Sequence, residues 1–517
     1  MRHSRAGLTV AVLLLVIYAV TLAPGVTYWD SGEFLAAMKT LGIPHPPGTP
    51  LFILAGNVWG GALAPIMGFA SAVNLFSAVS TAAACGILAS RLGRWTGDPV
   101  VAITGGMLAG AMSSVWLNAN ETEVYAPALL MSALMILAAD KFFETNQSRW
   151  LVLLAYLFGL GWSLQLSALV AAPAAILLVA HRARSIRPKV IIPMLMVVGL
   201  GMSVVLFMIV RAQHDPGINQ GNPSTWQALV DVITRKQYQP VPLFPRQAPW
   251  FIQIGNFFEY ADWQVAFGIH PTPPPSPVRT SLTVLFAIFG AAGFVWHKRT
   301  DVVSWRVLSL LFLCGSLGVI AYLNMKASPS YGEGFLPPGA RHEARERDYF
   351  FALAFVCWGL WAGTGAVRIF QRLGKKWVLT GMAIALMPVF LNLGAANRRF
   401  GFDEVSARDS AIRILRPAPP NAVVFAYGDN DTYPVWYMQY VESYRTDVTT
   451  VTIPLLGASW YRAELARRHG LLQDENIERW RGYGAILSQI CERARADGRP
   501  VIARSVKDRP PIPAECR

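Results

Sequence analysis

Apolar residues in this chain come in long unbroken runs, not in the short amphipathic stretches of a soluble helix. Runs that suit bilayer crossing, for which roughly 20 residues are needed, fall near 7–25, 70–90, 99–117, 125–143, 150–164, 166–181, 190–211, 281–297, 304–324, 348–369 and 377–396. The stretch 150–181 is continuous, and the polar step Ser163–Gln165, just after glycines, divides it in two. The pattern predicts an all-α polytopic membrane protein with about eleven transmembrane helices. Residues 50–68 are apolar too, but they hold four glycines, Asn57 and Pro65. They are expected to lie with 32–49 as one or two helices along the outer membrane surface. Thr49 is the expected N-cap of the second of these, and Pro50 its first residue.

Beyond residue 396 the pattern changes. "NAVVFAYGDND" reads as a strand ending in a turn, "TYPVWYMQYVESY" as a helix, and "DVTTVTIPLL" and "PVIARSV" as further strands. The expected organisation is a membrane domain over 1–396, with outer loops 26–69, 212–280 and 325–347, followed by a small α/β domain over 397–517.

Charge orients this layout. The connections 91–98, 144–149 (Arg149, with Lys141 just before), 182–189, 298–303 and 370–376 each carry Lys or Arg, which places them in the cytoplasm. The N-terminus is then cytoplasmic and the C-terminal domain extracytoplasmic, in a multi-pass protein of the cell inner membrane. The run 6–24 is expected to stay as an uncleaved first helix, because "APGVTYWD" and not a small-residue cleavage site follows it. The net charge of +14 does not argue for nucleic acid, because many of the Lys and Arg residues lie in short segments between apolar runs, where the positive-inside rule expects them. At 53% hydrophobic and 15% charged residues, a soluble enzyme is excluded. Of the five cysteines, Cys491 and Cys516 have the option of a disulfide if the tail is extracytoplasmic.

The candidate chemistry gathers in the outer segments. In "YWDSGEFLAAMKTLGIPHPPGTPLF", Asp30 and Glu33 form D-x-x-E at a helix start. That spacing reads as a capping box. It also reads as a general base at the membrane rim, where an ionisable group is costly to hold; the two readings are compatible. Glu123 and Tyr125 in "NETEVY" sit in a short outer turn, either solvated or lining a cavity. "ARHEARERDYFF" alternates Arg341, Arg345 and Arg347 with acids, including Asp348. It reads as a salt-bridged collar or as a clamp for an anionic headgroup, since the arginine fork matches phosphate oxygens. Arg235 and Lys236 of "TRKQY" are a second basic pair, and His45 stands in a proline-rich turn. Asp429 and Asp431 of "YGDNDTYP" suit an Asx-turn and N-cap, or a divalent-ion site. No Walker loop, HExxH, GxSxG or paired CxxC is present. No metal set is evident, a divalent cation is not indicated, and no cofactor is expected.

The first of these stretches resembles the signature of a bacterial membrane family formerly of unknown function, related to the animal transmembrane protein O-mannosyltransferase. "ETEVYA", "INQGNPSTW" with "TRKQY", "ERDYFF" and "GDNDTYPVWY" followed by "DVTTV" resemble that family's later blocks. The resemblance implies a GT-C-like glycosyltransferase that takes sugar from a polyprenyl-phosphate donor to a protein or glycan acceptor. Its acidic residue of the first outer loop carries over onto Asp30. The candidate catalytic carboxylates are then Asp30, Glu33 and Glu123, and the candidate binding residues His45, Tyr125, Arg235, Lys236, Arg341, Arg345, Arg347 and Asp348. The chain departs from the family at Gln165, where a histidine is expected, and in ending on a small α/β domain instead of helical repeats. Two other classes stay open: a transporter or flippase of a lipid-linked or anionic substrate, and a non-catalytic membrane assembly protein. A transporter is expected to show mid-bilayer breaks and inverted repeats; here the acids cluster at one rim.

Overall fold

The computed structural model describes residues 2–239, 241–400, 406–473, 475–502, 513 and 516. Among them, eight helices are long and apolar enough to cross a membrane: Arg2–Thr21, Pro50–Met67, Phe69–Thr96, Tyr125–Thr145, Pro188–Gln213, Pro277–Thr300, Val302–Leu323 and Asp348–Leu373. Helices Pro99–Ala111 and Ser113–Ala119 make a ninth only as a pair bent by 73°. The remaining expected spans are shorter. The run 150–181 is broken at Gln165, which is extended (φ −171°, ψ 144°) and accepts from its neighbour's N–H. The run 377–396 divides into short pieces around Pro388 and Asn392. Of the eleven expected spans, seven are thus long helices, one is the bent pair and three are shorter apolar segments; the eighth long helix, Pro50–Met67, is the one expected on the membrane surface. Helix Pro50–Met67 begins where "GTP" places it. Its 18 residues span about 27 Å, close to the thickness of a bilayer core, so length alone does not assign it to the surface.

The chain forms two compact units, each built from several segments. The first takes residues 1–23, 74–204 and 241–402. In it, helix Ala352–Leu373 packs on Pro99–Ala111 and Pro277–Thr300. Small residues permit this packing: a Cβ on Gly365 would strike the carbonyl of Phe289, and one on Gly363 the backbone of Gly105. Apolar helices in lipid associate through such close backbone contact. The buried carboxylate of Asp140 accepts from Arg91 at 3.0 Å and from Trp95 at 3.0 Å, tying helix Tyr125–Thr145 to Phe69–Thr96.

The second unit takes 24–73, 205–240 and 403–517. The α/β part is a parallel sheet in the order β2-β1-β3, with β1 Val423–Ala426, β2 Thr449–Thr452 and β3 Val501–Ile502. Val423 pairs with Thr449 on one side and Val501 on the other. All four β1 residues are buried, as a central parallel strand covered on both faces requires. Helix Asp429–Tyr440 makes the first crossover; Ser459–His469 and Tyr483–Ala496 lie in the second. Cys491 and Cys516 are joined by a disulfide in the core behind the sheet.

Candidate functional site

Within the second unit, helix Ser31–Thr40 opens at Asp30, and its sequence position is that of an N-cap. Asp30 is nevertheless αR (φ −70°, ψ −14°) and its side chain makes no capping hydrogen bond. A capping side chain needs extended backbone at that position, so the reciprocal box does not form. Glu33, wholly buried, turns instead to His45. Its Oε1 accepts from the His45 backbone N–H at 2.7 Å, and its Oε2 lies 2.5 Å from the ring Nδ1. The amide of Gln220 donates to the same carboxylate.

The backbone explains how residues so far apart in sequence meet. Ile43 bridges to Asn219: its N–H donates to the Ile218 carbonyl at 2.7 Å, and the Gln220 N–H donates to the Ile43 carbonyl at 2.9 Å. That pairing carries "INQ" onto the turn 41–49 and sets Gln220 on Glu33. Helix Ser31–Thr40 in turn packs on helix Asp429–Tyr440. Gly32 makes the approach possible, because a Cβ there would strike the Tyr433 carbonyl. The Trp29 N–H donates to the Asn430 side chain at 2.8 Å. Trp29 (φ 62°) and Thr49 (φ 37°) hold left-handed backbone without being glycine. Strain of this kind concentrates at functional sites.

Electrostatics bind the cluster further. Burial pushes the Glu33 carboxyl up, against the lowering pull of His45. Burial disfavours the charged form of His45, but Glu33, then Asp30 and Asp429, outweigh it and raise the imidazole to about 9. Asp429 and Asp431 occupy the first turn of their helix behind Gly428, with no side-chain cap; the expected N-cap is not formed, and the charge of Asp429 acts on His45. Lys236 is exposed and paired with Asp231 at 2.8 Å, a surface contact, while Arg235 sits in a left-handed turn (φ 57°).

The first unit holds the other candidates. Arg345 stacks over the Tyr349 ring, 5.0 Å from its centre. Arg347 donates to the Tyr349 hydroxyl at 2.7 Å and pairs with Glu343 at 3.4 Å. Its backbone N–H donates to the hydroxyl of Tyr260 (3.0 Å), which donates onward to Glu346 (3.1 Å). Tyr125 packs on Tyr349 with ring centres 4.7 Å apart. Two guanidinium groups and two tyrosines therefore form one patch. Asp348 is bound to the Ser114 hydroxyl, which also receives the Gln264 amide at 2.7 Å. Glu123 is buried, and Arg341 is exposed. Among the described residues no group of three or more His, Cys, Asp or Glu is arranged to hold a metal.

Residue-by-residue reading missed Gln220, Asn430, Tyr433, Tyr260 and Tyr349. The signal for the first three was present: "INQGNPSTW" and "GDNDTYPVWY" are two of the blocks that carried the family resemblance.

Comparison with known proteins adds to this geometry. A family model described as the N-terminal domain of the protein O-mannosyl-transferase TMEM260 matches residues 30–188. A second, described as TMEM260-associated domain 2, matches residues 407–471. The protein O-mannosyl-transferase tmem260 of Dictyostelium discoideum is 20% identical over 496 residues, which take in 86% of this chain and 57% of the relative. Protein O-mannosyl-transferase TMEM260 of Mus musculus is 28% identical over 149 residues, 28% of this chain and 20% of the relative. The chain thus spans less than two thirds of either curated relative. Among solved structures, ArnT from Cupriavidus metallidurans bound to undecaprenyl phosphate aligns with a TM-score of 0.51 at 12% identity, covering 87% of this chain and 90% of that one. This likeness shows that the chain shares the overall fold of that protein.

Proposed function

Taking as premise that this chain is a GT-C-like membrane protein related to the TMEM260 protein O-mannosyl-transferases, we propose that it is a membrane glycosyltransferase. It moves a sugar from a polyprenyl-phosphate donor to a hydroxyl of a protein or glycan acceptor on the extracytoplasmic face. Asp30 is the general base: it takes the acceptor proton while the hydroxyl oxygen attacks the anomeric carbon. The bond from that carbon to the phosphate oxygen breaks on the opposite side, so configuration inverts and the lipid phosphate leaves as an anion. General-base help of this kind contributes about 10²- to 10⁴-fold.

The observation that carries the reading is the cluster around Asp30. A buried network of Glu33, His45 and Gln220 is built behind it, and the charge of Asp30 acts on both Glu33 and His45. Glu33 is a positioning residue here; it holds His45, whose retained proton supplies positive charge beside the acids. Arg345 and Arg347, with Tyr125 and Tyr349 as their platform, are the proposed contacts for the donor phosphate, where fixed positive charge favours the departing anion. Arg235 and Lys236 are reserve candidates. The disulfide Cys491–Cys516 supports an oxidising, extracytoplasmic setting for the C-terminal part. The test is direct: purified protein is incubated with a panel of radiolabelled polyprenyl-phosphate sugars and with hydroxyl-bearing peptide and glycan acceptors. Transfer from one donor supports the reading, and its absence with every donor and acceptor refutes it.

A further inference from the structure

The α/β part of the second unit contains a cavity that the transfer reading does not use. Its volume is about 160 Å³. An apolar cavity of about 150 Å³ holds one benzene, so this space suits a single six-membered ring. Its walls are not apolar. Trp436, Gln439 and Tyr440 reach it from helix Asp429–Tyr440, Thr450 from β2, and Glu464 and His469 from helix Ser459–His469. The first three are spaced i, i+3, i+4, one face of one helix. They offer two aromatic rings with an amide between them.

The polar groups are fixed in place. Gln439 donates to the Val448 carbonyl at 2.7 Å and accepts from the Thr450 hydroxyl at 3.3 Å. Arg468 donates to Glu464 at 3.0 Å, and its other hydrogens go to Asp215 and the Pro216 carbonyl. Burial raises the Glu464 carboxyl to about 7, with Arg468 opposing and Asp215 assisting. Burial, then Arg499 and Arg468, lower His469 to about 4, leaving a neutral imidazole. An anion entering the cavity meets a carboxyl and a neutral ring, while Arg468 is already engaged by protein acceptors. Gln439, Thr450 and Glu464 have protein partners, but the Gln439 and Thr450 oxygens and the second Glu464 oxygen keep hydrogen-bonding capacity that a purely apolar ring leaves unused. A ring with apolar C–H faces and hydroxyls at its edge satisfies both kinds of wall.

We propose that this cavity binds one neutral sugar ring, in a site separate from the Asp30 cluster. The binding itself does not depend on the transferase reading. That reading supplies the reason: a sugar held here belongs to a glycan acceptor or to glycosylated product.

The test is equilibrium dialysis of the purified full-length protein with labelled methyl α-mannopyranoside, with glucose 6-phosphate as the anionic comparator. The expected dissociation constant is on the order of 1 mM. Tyr440→Leu is expected to weaken it about tenfold. The near-isosteric Thr450→Val and Glu464→Gln, checked for unchanged melting, are each expected to weaken it about threefold. Asp30→Asn is expected to bind like wild type whatever its effect on transfer. Failure of the wild type to bind overturns the proposal. So does binding that survives all three cavity variants, binding that is lost in Asp30→Asn, or tighter binding of the phosphate.

Discussion

Replacing Glu33 by Gln is expected to remove a pH-dependent share of stability. His45 holds its proton up to about 9 in the folded chain, against 6.5 for the free imidazole. A raised folded value means that the stability it brings is complete below about pH 6.5 and is lost as pH rises through about 9. At 1.36 kcal/mol for each pH unit, the whole effect is about 3 kcal/mol. Glu33 is the largest favourable contributor to it, with Asp30 and Asp429 behind. A glutamine keeps the shape and can still accept from the His45 backbone N–H, but it cannot hold the imidazolium. The variant is therefore expected to be less stable by about 2 kcal/mol near pH 6.5. Because burial itself raises Glu33, removing that charge is favourable once His45 is neutral, so the deficit closes above about pH 9. The assay is thermal melting of both proteins in one detergent across that range. Comparing them at each pH cancels the titration of all distant groups. A deficit that stays constant from about pH 6 to about pH 9.5 refutes the pairing.

Three further outcomes follow from other parts of the molecule. Arg347→Ala is expected to raise the donor KM more than the acceptor KM, with Arg347→Lys restoring only part because it lacks the fork; the exposed Arg341→Ala is expected to change less, and equal kinetics for all three move the phosphate contact to Arg235 and Lys236. Tyr260→Phe leaves the Arg347 N–H and the Glu346 carboxyl without their shared hydroxyl, a loss of about 1–3 kcal/mol that melting reports. A cytoplasm-only reporter fused after Arg187 is expected to be active and one fused after Arg399 silent; activity at Arg399 moves the C-terminal part to the cytoplasm.

The elements that depend on local chemistry were legible in the sequence. Pro50 starts a helix, Gln165 breaks an apolar run, and the apolar run at 423–426 is a buried central strand. The membrane count was less so, because hydropathy does not register breaks such as the 73° bend at Met112 or the divisions around Pro388 and Asn392. The candidate site was legible as a set of residues but not as an arrangement. "DSGE" has the spacing of a capping box, yet the backbone of Asp30 is already helical, which frees Glu33 to meet His45 twelve residues later. Gln220 reaches Glu33 from 187 residues away through one parallel bridge at Ile43. Periodicity carries no information about such long-range contacts. Gly32 is the exception: its close approach to Tyr433 explains a glycine in the first turn of a helix.

In the proposed mechanism Asp30 takes the proton from the acceptor. Asn is as good a cap as Asp, and Glu33 is the larger support of the His45 charge with Asp30 behind it, so Asp30→Asn is expected to insert and fold, with a smaller loss of melting temperature than Glu33→Gln. Sugar transfer from the polyprenyl-phosphate donor by the purified variant is the deciding measurement. A fall of at least about 10²-fold is expected, the lower end of general-base catalysis. A folded Asp30→Asn enzyme that transfers sugar at the wild-type rate contradicts it.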